Sequence, residues 1–221
     1  TVEYSLGQIH ASPEFSFRLQ LIYRNNREQA GMFGSQWWCP QLESTVLPRG
    51  RGVIVWTMPS GGMVGFKADE RRANEFKSFD GNWRARISGT RVTIFNAEGW
   101  QYDYNRARLA SVTSPTGRVL DLAWQNERFQ GMQLRNVSSG TRLVLAQAGY
   151  GDNRMLAALE INGQQHRFAY VKDGSEQRLT GWAPPVGRPV SFVYHPESKV
   201  LARTVLGDGK DAADLAEFKT E

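Results

Sequence analysis

The chain has 221 residues, enough to bury a hydrophobic core in one large domain or in two small ones. Its 22 glycines and 9 prolines are spread along the sequence and 11% of the residues are aromatic, a composition that favours short strands and turns over long helices. The net charge of +5 comes from 27 basic and 22 acidic residues, most of them scattered singly, so we do not expect a nucleic-acid partner.

Cysteine content and hydropathy exclude several further classes of protein. Cys39 is the only cysteine, which rules out an intrachain disulfide and a cysteine-rich metal site. No apolar stretch approaches about 20 residues, so we expect no membrane span. The first fifteen residues lack the basic start and apolar run of a signal peptide.

The first predicted strand covers residues 14–23, where apolar and polar side chains alternate. Its apolar face carries Phe15, Phe17, Leu19 and Leu21. A polar, glycine-containing connection follows at residues 25–34. Trp37 and Trp38 then open the next strand, in which Pro40 indicates an edge position or a bulge.

The middle of the chain repeats one construction, an apolar strand followed by a glycine turn and another strand. Such turns occur at residues 60–62, 88–89 and 98–99. Because they are short, they favour pairing between neighbouring antiparallel strands. We therefore predict an all-β fold, a large antiparallel meander of consecutive hairpins.

From Arg108 onward the hairpins form an imperfect internal repeat. Each unit has a basic residue, an apolar residue, a short strand, a glycine turn and a second strand that ends near an aromatic or apolar residue. The apolar residues at the second position are Leu109, Phe129, Met155 and Leu179. One hairpin buries too little surface to be stable, so we expect neighbouring hairpins to share an apolar face.

We predict one β domain over residues 1–206, followed by a tail at residues 207–221. In the tail, the partly helical spacing of apolar residues indicates a possible short amphipathic helix. These residues are Ala212, Leu215, Ala216 and Phe218.

The segment at residues 99–125, GWQYDYNRARLASVTSPTGRVLDLAWQ, resembles a unit of the Rhs/YD-repeat family. The matching positions are Tyr102-Asp103, Leu109, Val112, Gly117 and Leu120. Upstream, FRLQLIYRNN and GSQWW resemble the lead-in to such repeats, and the likeness extends over residues 14–206. Later units depart from the family pattern, since they end in Ala-Trp, Ala-Tyr or Val-Tyr instead of Tyr-Asp.

The resemblance implies a long antiparallel sheet that curls or spirals, as in shells that enclose a C-terminal toxin or in large bacterial surface proteins. These residues would form part of the wall of such a shell, because the family's self-cleaving segment and toxin domain are not among them. The expected partners are the remainder of the parent polypeptide or a C-terminal toxin-like domain. The expected location is outside the cell or on the bacterial cell surface.

No convergent catalytic set is visible in the sequence, so we expect no enzyme, cofactor or metal. Asp80, Asp103 and Asp121 could act as paired carboxylates, but Asp80 lies in a turn and Asp103 matches a structural position of the repeat. The three histidines, His10, His166 and His195, are far apart and form no metal-binding pattern.

The seven tryptophans leave a binding function open, because a row of exposed indoles stacks on sugar rings. Most of them fall in predicted strands, where burial is the ordinary outcome. Trp37 and Trp38 are the candidate ligand-binding residues, since adjacent strand residues point to opposite faces and one of the two is then exposed. The alternative function is therefore a carbohydrate- or cell-surface-binding β module that uses exposed Trp and Arg.

Overall fold

The computed structural model describes residues 1–25, 31–50, 52–207 and 213–217, the last range by its backbone only. Within these residues all regular elements are β-strands, and they follow one another as antiparallel hairpins. The prediction of an all-β meander is therefore confirmed. Residues 26–30 of the predicted connection lie outside the described part of the chain.

The strands of the described residues are numbered in chain order. Their bounds are β1 Val2–His10, β2 Ser16–Tyr23, β3 Trp37–Trp38, β4 Thr45–Gly50, β5 Val53–Thr57, β6 Met63–Ala68, β7 Glu75–Ser78, β8 Trp83–Ser88, β9 Arg91–Asn96, β10 Gln101–Asn105, β11 Arg108–Thr113, β12 Arg118–Gln125, β13 Arg128–Asn136, β14 Arg142–Tyr150, β15 Leu156–Ile161, β16 Gln164–Asp173, β17 Glu176–Ala183, β18 Val190–Tyr194, β19 Leu201–Leu206 and β20 Ala213–Glu217.

The chain forms two compact units. The first unit contains Thr1–Gly7, Gln20–Cys39 and Ala146–Glu221, and the second contains Gln8–Leu19 and Pro40–Leu145. That residues 1–206 belong to one domain stays a prediction, since two compact units are compatible with one domain.

In the second unit, strands β4 to β11 close into an eight-stranded barrel. Each strand pairs with the next, and β11 returns to β4, where Arg108 lies opposite Thr45 and the Val46 amide donates to the Ala107 carbonyl at 3.3 Å. Side chains of alternate residues point inward, as the period of two requires. The buried ones include Val46, Trp56, Phe66, Ala85, Ile94 and Tyr104.

In the first unit, β15 to β20 continue the meander, and β3 pairs with the end of β2. Gly34 of this unit lies close against the backbone of Gln177. It has a φ of +87°, and an added Cβ would overlap the carbonyl oxygen of Gln177. Glycine is therefore required there, because it both tolerates this φ and leaves room for the Ser35 amide to donate to that oxygen at 3.1 Å.

A β-bulge recurs directly before an aromatic residue. The register shifts lie immediately before Tyr104, Trp124, Tyr150, Tyr170 and Tyr194. The last four of these aromatics lie in β12, β14, β16 and β18, the second strands of the hairpins that follow one another from Arg108 onward. In the 99–125 segment, the aromatic residue that follows the bulge is Tyr104. It lies two residues after Tyr102, which is one of the residues that carry the resemblance to the family.

The predicted C-terminal helix is wrong where it can be compared. Ala213–Glu217 is strand β20, which pairs antiparallel with β19. A helix this short is unstable on its own, whereas the edge of β19 supplies hydrogen-bond partners along the whole segment. Ala212 and Phe218, which also supported the helix, lie outside the described residues.

Candidate functional site

Three of the recurring aromatics bind a backbone carbonyl of the preceding strand. Trp124 Nε1 donates to the Leu109 carbonyl at 2.8 Å. The Tyr170 hydroxyl donates to the Leu156 carbonyl at 2.9 Å, and the Tyr194 hydroxyl donates to the Leu179 carbonyl at 2.6 Å. A bulge re-aims a side chain, and the polar atom of a partly buried ring needs a partner. Each contact therefore fixes two adjacent strands; we call these contacts hairpin locks.

The core of the second unit contains a continuous chain of hydrogen bonds. Trp56 Nε1 donates to the Tyr104 hydroxyl at 2.6 Å, and that hydroxyl lies 2.6 Å from Ser44 Oγ. Ser44 Oγ donates to the Thr57 carbonyl at 2.6 Å, so Tyr104 is left to donate to Ser44. Burial raises the pKa of the Tyr104 hydroxyl, which keeps it protonated as a donor.

The first unit contains a related pair. Trp37 Nε1 donates to the Tyr194 hydroxyl at 2.7 Å, and this is the same hydroxyl that locks onto the Leu179 carbonyl. Rings of Tyr4, Tyr23 and Phe192 surround the Trp37 indole, with centroid distances of 6.2, 5.2 and 4.4 Å. This cluster joins the lead-in segment to a hairpin more than 150 residues later in the sequence.

Arg178, only 8% exposed, lies next to this cluster. Its Nε donates to Asp173 at 2.8 Å and its Nη2 donates to Glu176 at 3.2 Å. Nη1 donates to the Lys199 carbonyl at 3.0 Å and to Gln36 at 3.5 Å. Hydrogen bonds from Arg178 and Lys199 lower the pKa of Asp173. The guanidinium thus links three separate segments of the unit, a role that makes it structural.

Sequence reasoning missed the role of Arg178. In the sequence it is the basic residue that opens a repeat unit, as Arg108 and Arg128 do. Those two residues are half-buried, whereas Arg178 is buried. No local signal separates it from them, because two of its partners, Gln36 and the Lys199 carbonyl, come from other parts of the chain.

Trp37 and Trp38 are both buried, with exposed fractions of 0% and 5%. The expectation that one of the two indoles is exposed is wrong. Trp37 packs in the aromatic cluster, and the Arg24 guanidinium lies 5.1 Å from the centre of the Trp38 ring. Each face of β3 is thus covered, so neither indole offers a free surface for a sugar ring.

The three candidate carboxylates already serve local contacts. Asp80 accepts hydrogen bonds from Ser78 and Asn82, which lower its pKa. That direction is opposite to what a general acid at neutral pH needs. Asp103 accepts from Thr93 at 2.7 Å and from Gln101 at 2.8 Å, and Asp121 pairs with Arg135 at 2.9 Å.

Asp103 and Asp121 lie in one cross-strand row with Ser111 between them. Two open clefts, of about 440 and 300 Å³, have no acidic residue or histidine in their linings. The larger belongs to the second unit and includes Arg118 and Arg142, and the smaller belongs to the first unit beside Trp182.

The histidines and Cys39 do not form a group of metal ligands among the described residues. His10 bonds to Ser16 Oγ at 2.9 Å, and His166 Nδ1 accepts from Trp182 Nε1 at 3.2 Å. Burial lowers the pKa of His166 to about 4, so its imidazole is neutral. Cys39 is a buried thiol. Across the described residues, no group of three or more His, Cys, Asp or Glu is arranged to hold a metal ion.

No protein-family model matches this chain, and a search of curated proteins gave no match. In the part of the chain that the structure describes, no helix has the length and apolar character needed to span a bilayer.

Proposed function

We propose that this chain is a non-enzymatic structural scaffold, a segment of an Rhs/YD-repeat shell or bacterial surface protein that encloses or displays a C-terminal, toxin-like domain. The observation that supports this proposal best is the series of hairpin locks. They give three of the hairpins a similar construction, and blocks of this kind pair edge to edge into an extended wall.

The use of the charged and aromatic residues supports the same function. Arg178, Asp80, Asp103 and Asp121 all stabilise turns or strand pairs. A catalytic carboxylate pair needs one raised pKa and a cleft between the two groups, and Asp80 shows the opposite shift. The burial of Trp37 and Trp38 gives the carbohydrate-binding alternative less support.

Limited proteolysis of the full-length protein that contains this chain tests the proposal. We expect a resistant fragment that includes residues 14–206, with the following domain either protected inside it or released intact from it. The variant Trp124→Leu, which removes one hairpin lock, should make the fragment sensitive to protease. The matched control Phe79→Leu changes an exposed aromatic that forms no lock.

Two results would contradict the scaffold function. One is degradation of residues 14–206 before the rest of the protein. The other is turnover of a substrate by the purified chain that is lost in Asp103→Asn, because Asp103 would then take part in chemistry as well as in strand pairing.

A further inference from the structure

Two large apolar side chains of the second unit lie exposed on one face of neighbouring segments. Met63 is 74% exposed and Phe79 is 70% exposed. The Phe79 amide donates to the Gly65 carbonyl at 3.0 Å, so Phe79 lies opposite Gly65 on β6. A Cβ added to Gly65 would lie 2.5 Å from Phe79 Cε2. The ring therefore rests on the glycine, two residues along the strand from Met63.

A row of cations runs beside these two residues. Lys67 lies opposite Lys77, and Lys77 lies opposite Arg84, so three positive side chains are cross-strand neighbours on β6, β7 and β8. All three are exposed. Like charges directly opposite each other destabilise a sheet, so the row has a cost for folding.

Little negative charge compensates this row. Lys67 approaches Glu70 at 4.0 Å, but the two side chains are 65% and 86% exposed, and such a pair contributes little. Among the described residues, neither Lys77 nor Arg84 forms an ion pair. The row is thus available to an anionic partner.

The surface lies on the convex side of the barrel. Phe66 and Ala85, which alternate with Lys67 and Arg84 along β6 and β8, are fully buried in the core. A convex surface does not enclose a small molecule. It fits a flat, deformable partner that accepts apolar side chains and carries diffuse negative charge.

We propose that this surface, formed by Met63, Lys67, Lys77, Phe79 and Arg84, docks onto a membrane that is rich in anionic lipid. Met63 and Phe79 enter the boundary between headgroups and acyl chains, and the three cations contact the headgroups. A nucleic acid would bind the cations but would gain nothing from Met63. The Phe79 ring alone is a poor stacking platform for successive bases. The inference goes beyond the scaffold function and does not depend on it.

Vesicle sedimentation tests the proposal. The probe is phosphatidylcholine vesicles in which phosphatidylglycerol makes up about one third of the lipid, compared with pure phosphatidylcholine. We expect the chain to sediment with the anionic vesicles only. Met63→Ser/Phe79→Ser and Lys77→Glu/Arg84→Glu should each weaken binding about tenfold or more, since apolar burial and charge both contribute.

The matched control is Val186→Ser/Arg188→Glu, which changes an 80% exposed valine and an exposed arginine of the first unit. It should bind like the wild type, and equal thermal midpoints should show that all variants are folded. The proposal is overturned if the wild type ignores anionic vesicles or if the control loses binding equally. It is also overturned if Met63→Ser/Phe79→Ser still binds the anionic vesicles and the cations alone control binding to a single-stranded oligonucleotide. That result would identify a nucleic-acid surface.

Discussion

Both units bury a tryptophan whose indole nitrogen donates to a tyrosine hydroxyl, but they complete the arrangement differently. In the second unit, Tyr104 is 1% exposed and passes its own hydrogen bond to Ser44. In the first unit, Tyr194 is only partly buried and bonds to the backbone of its own hairpin. The Arg178 guanidinium lies 5.7 Å from the centre of the Tyr194 ring.

The difference separates a neutral core from a charged one. The Trp56, Tyr104 and Ser44 chain contains no group that titrates between pH 4 and 8. The first unit has Arg178, its carboxylate partners and the buried His166. We therefore expect the core of the first unit to respond to charge changes and acid, and the core of the second to respond to the loss of single neutral hydrogen bonds.

The largest effect should follow Gly34→Ala in the first unit. Alanine at this φ is strained, and its Cβ would overlap the Gln177 carbonyl, which belongs to the backbone and cannot rotate away. Strain and overpacking together should lower the free energy of unfolding by about 3 to 4 kcal/mol. Urea unfolding followed by tryptophan fluorescence measures this change.

Gly65→Ala in the second unit is the matched control. There the added Cβ meets the Phe79 ring, whose exposed side chain is free to move, and the φ of Gly65 is not in the left-handed region. We expect a loss below about 1 kcal/mol. Equal losses in the two variants would mean that the approach of Gly34 to Gln177 is looser than the structure shows.

Arg178→Met should have the next largest effect. The methionine keeps an apolar stem but removes bonds to Asp173, Glu176, Gln36 and the Lys199 carbonyl. Breaking a buried ion pair costs about 3 to 5 kcal/mol, and the partial exposure of Asp173 reduces this to about 2 to 3. Arg167→Met, which changes an exposed arginine of β16, should change stability by less than about 0.5 kcal/mol. A similar loss of stability in both variants would contradict the structural role of Arg178.

Acid should destabilise the first unit through His166. The folded pKa of His166 is about 4 and its ordinary value is 6.5, so the unfolded chain takes up a proton first as the pH falls. The contribution of the neutral His166 to the free energy of unfolding is complete above pH 6.5 and is lost between pH 6.5 and 4. At pH 4.5 the loss should be about 2 to 3 kcal/mol relative to pH 7.

The variant His166→Gln isolates this contribution, because glutamine still accepts a hydrogen bond from Trp182 but does not titrate. Carboxylates with lowered pKa, such as Asp173 and Asp80, also destabilise the fold in acid, and they remain in both proteins. Urea midpoints at pH 7 and 4.5 should differ less in the variant than in the wild type. Equal pH dependence would show that His166 is accessible to protons in the folded chain.

The strands and turns could be predicted from the sequence because their signals are local. Alternation of apolar residues at 14–23 predicts β2, and the turn at Ser88-Gly89 connects β8 to β9, as expected. Spacing in the sequence likewise predicted the succession of hairpins from β11 onward. The structural use of Asp80 in its turn also follows from neighbouring residues alone.

Other features depend on contacts between distant residues and left no such signal. Barrel closure needs Arg108 beside Thr45, and nothing in either segment indicates the other. The burial of both Trp37 and Trp38 depends on Arg24 and on rings elsewhere in the fold. Strand β20 exists because β19 offers an edge, which overrides the helical spacing of its own residues.

The smallest effect separates the two tryptophan–tyrosine pairs most directly. Tyr104→Phe leaves the Trp56 indole nitrogen without an acceptor in a core that is almost fully buried, so the loss should be about 2 kcal/mol. Tyr194→Phe orphans Trp37 in the same way, but the Tyr194 side chain is only partly buried, so we expect water to replace the hydroxyl and the loss to be about 1 kcal/mol. Tyr102→Phe, which changes a half-buried tyrosine of β10 outside both pairs, serves as the reference. If Tyr194→Phe proves the more damaging change in urea unfolding, the hydroxyl that joins Trp37 to the Leu179 carbonyl is dry, and the contrast between a neutral closed core and a charged open one fails.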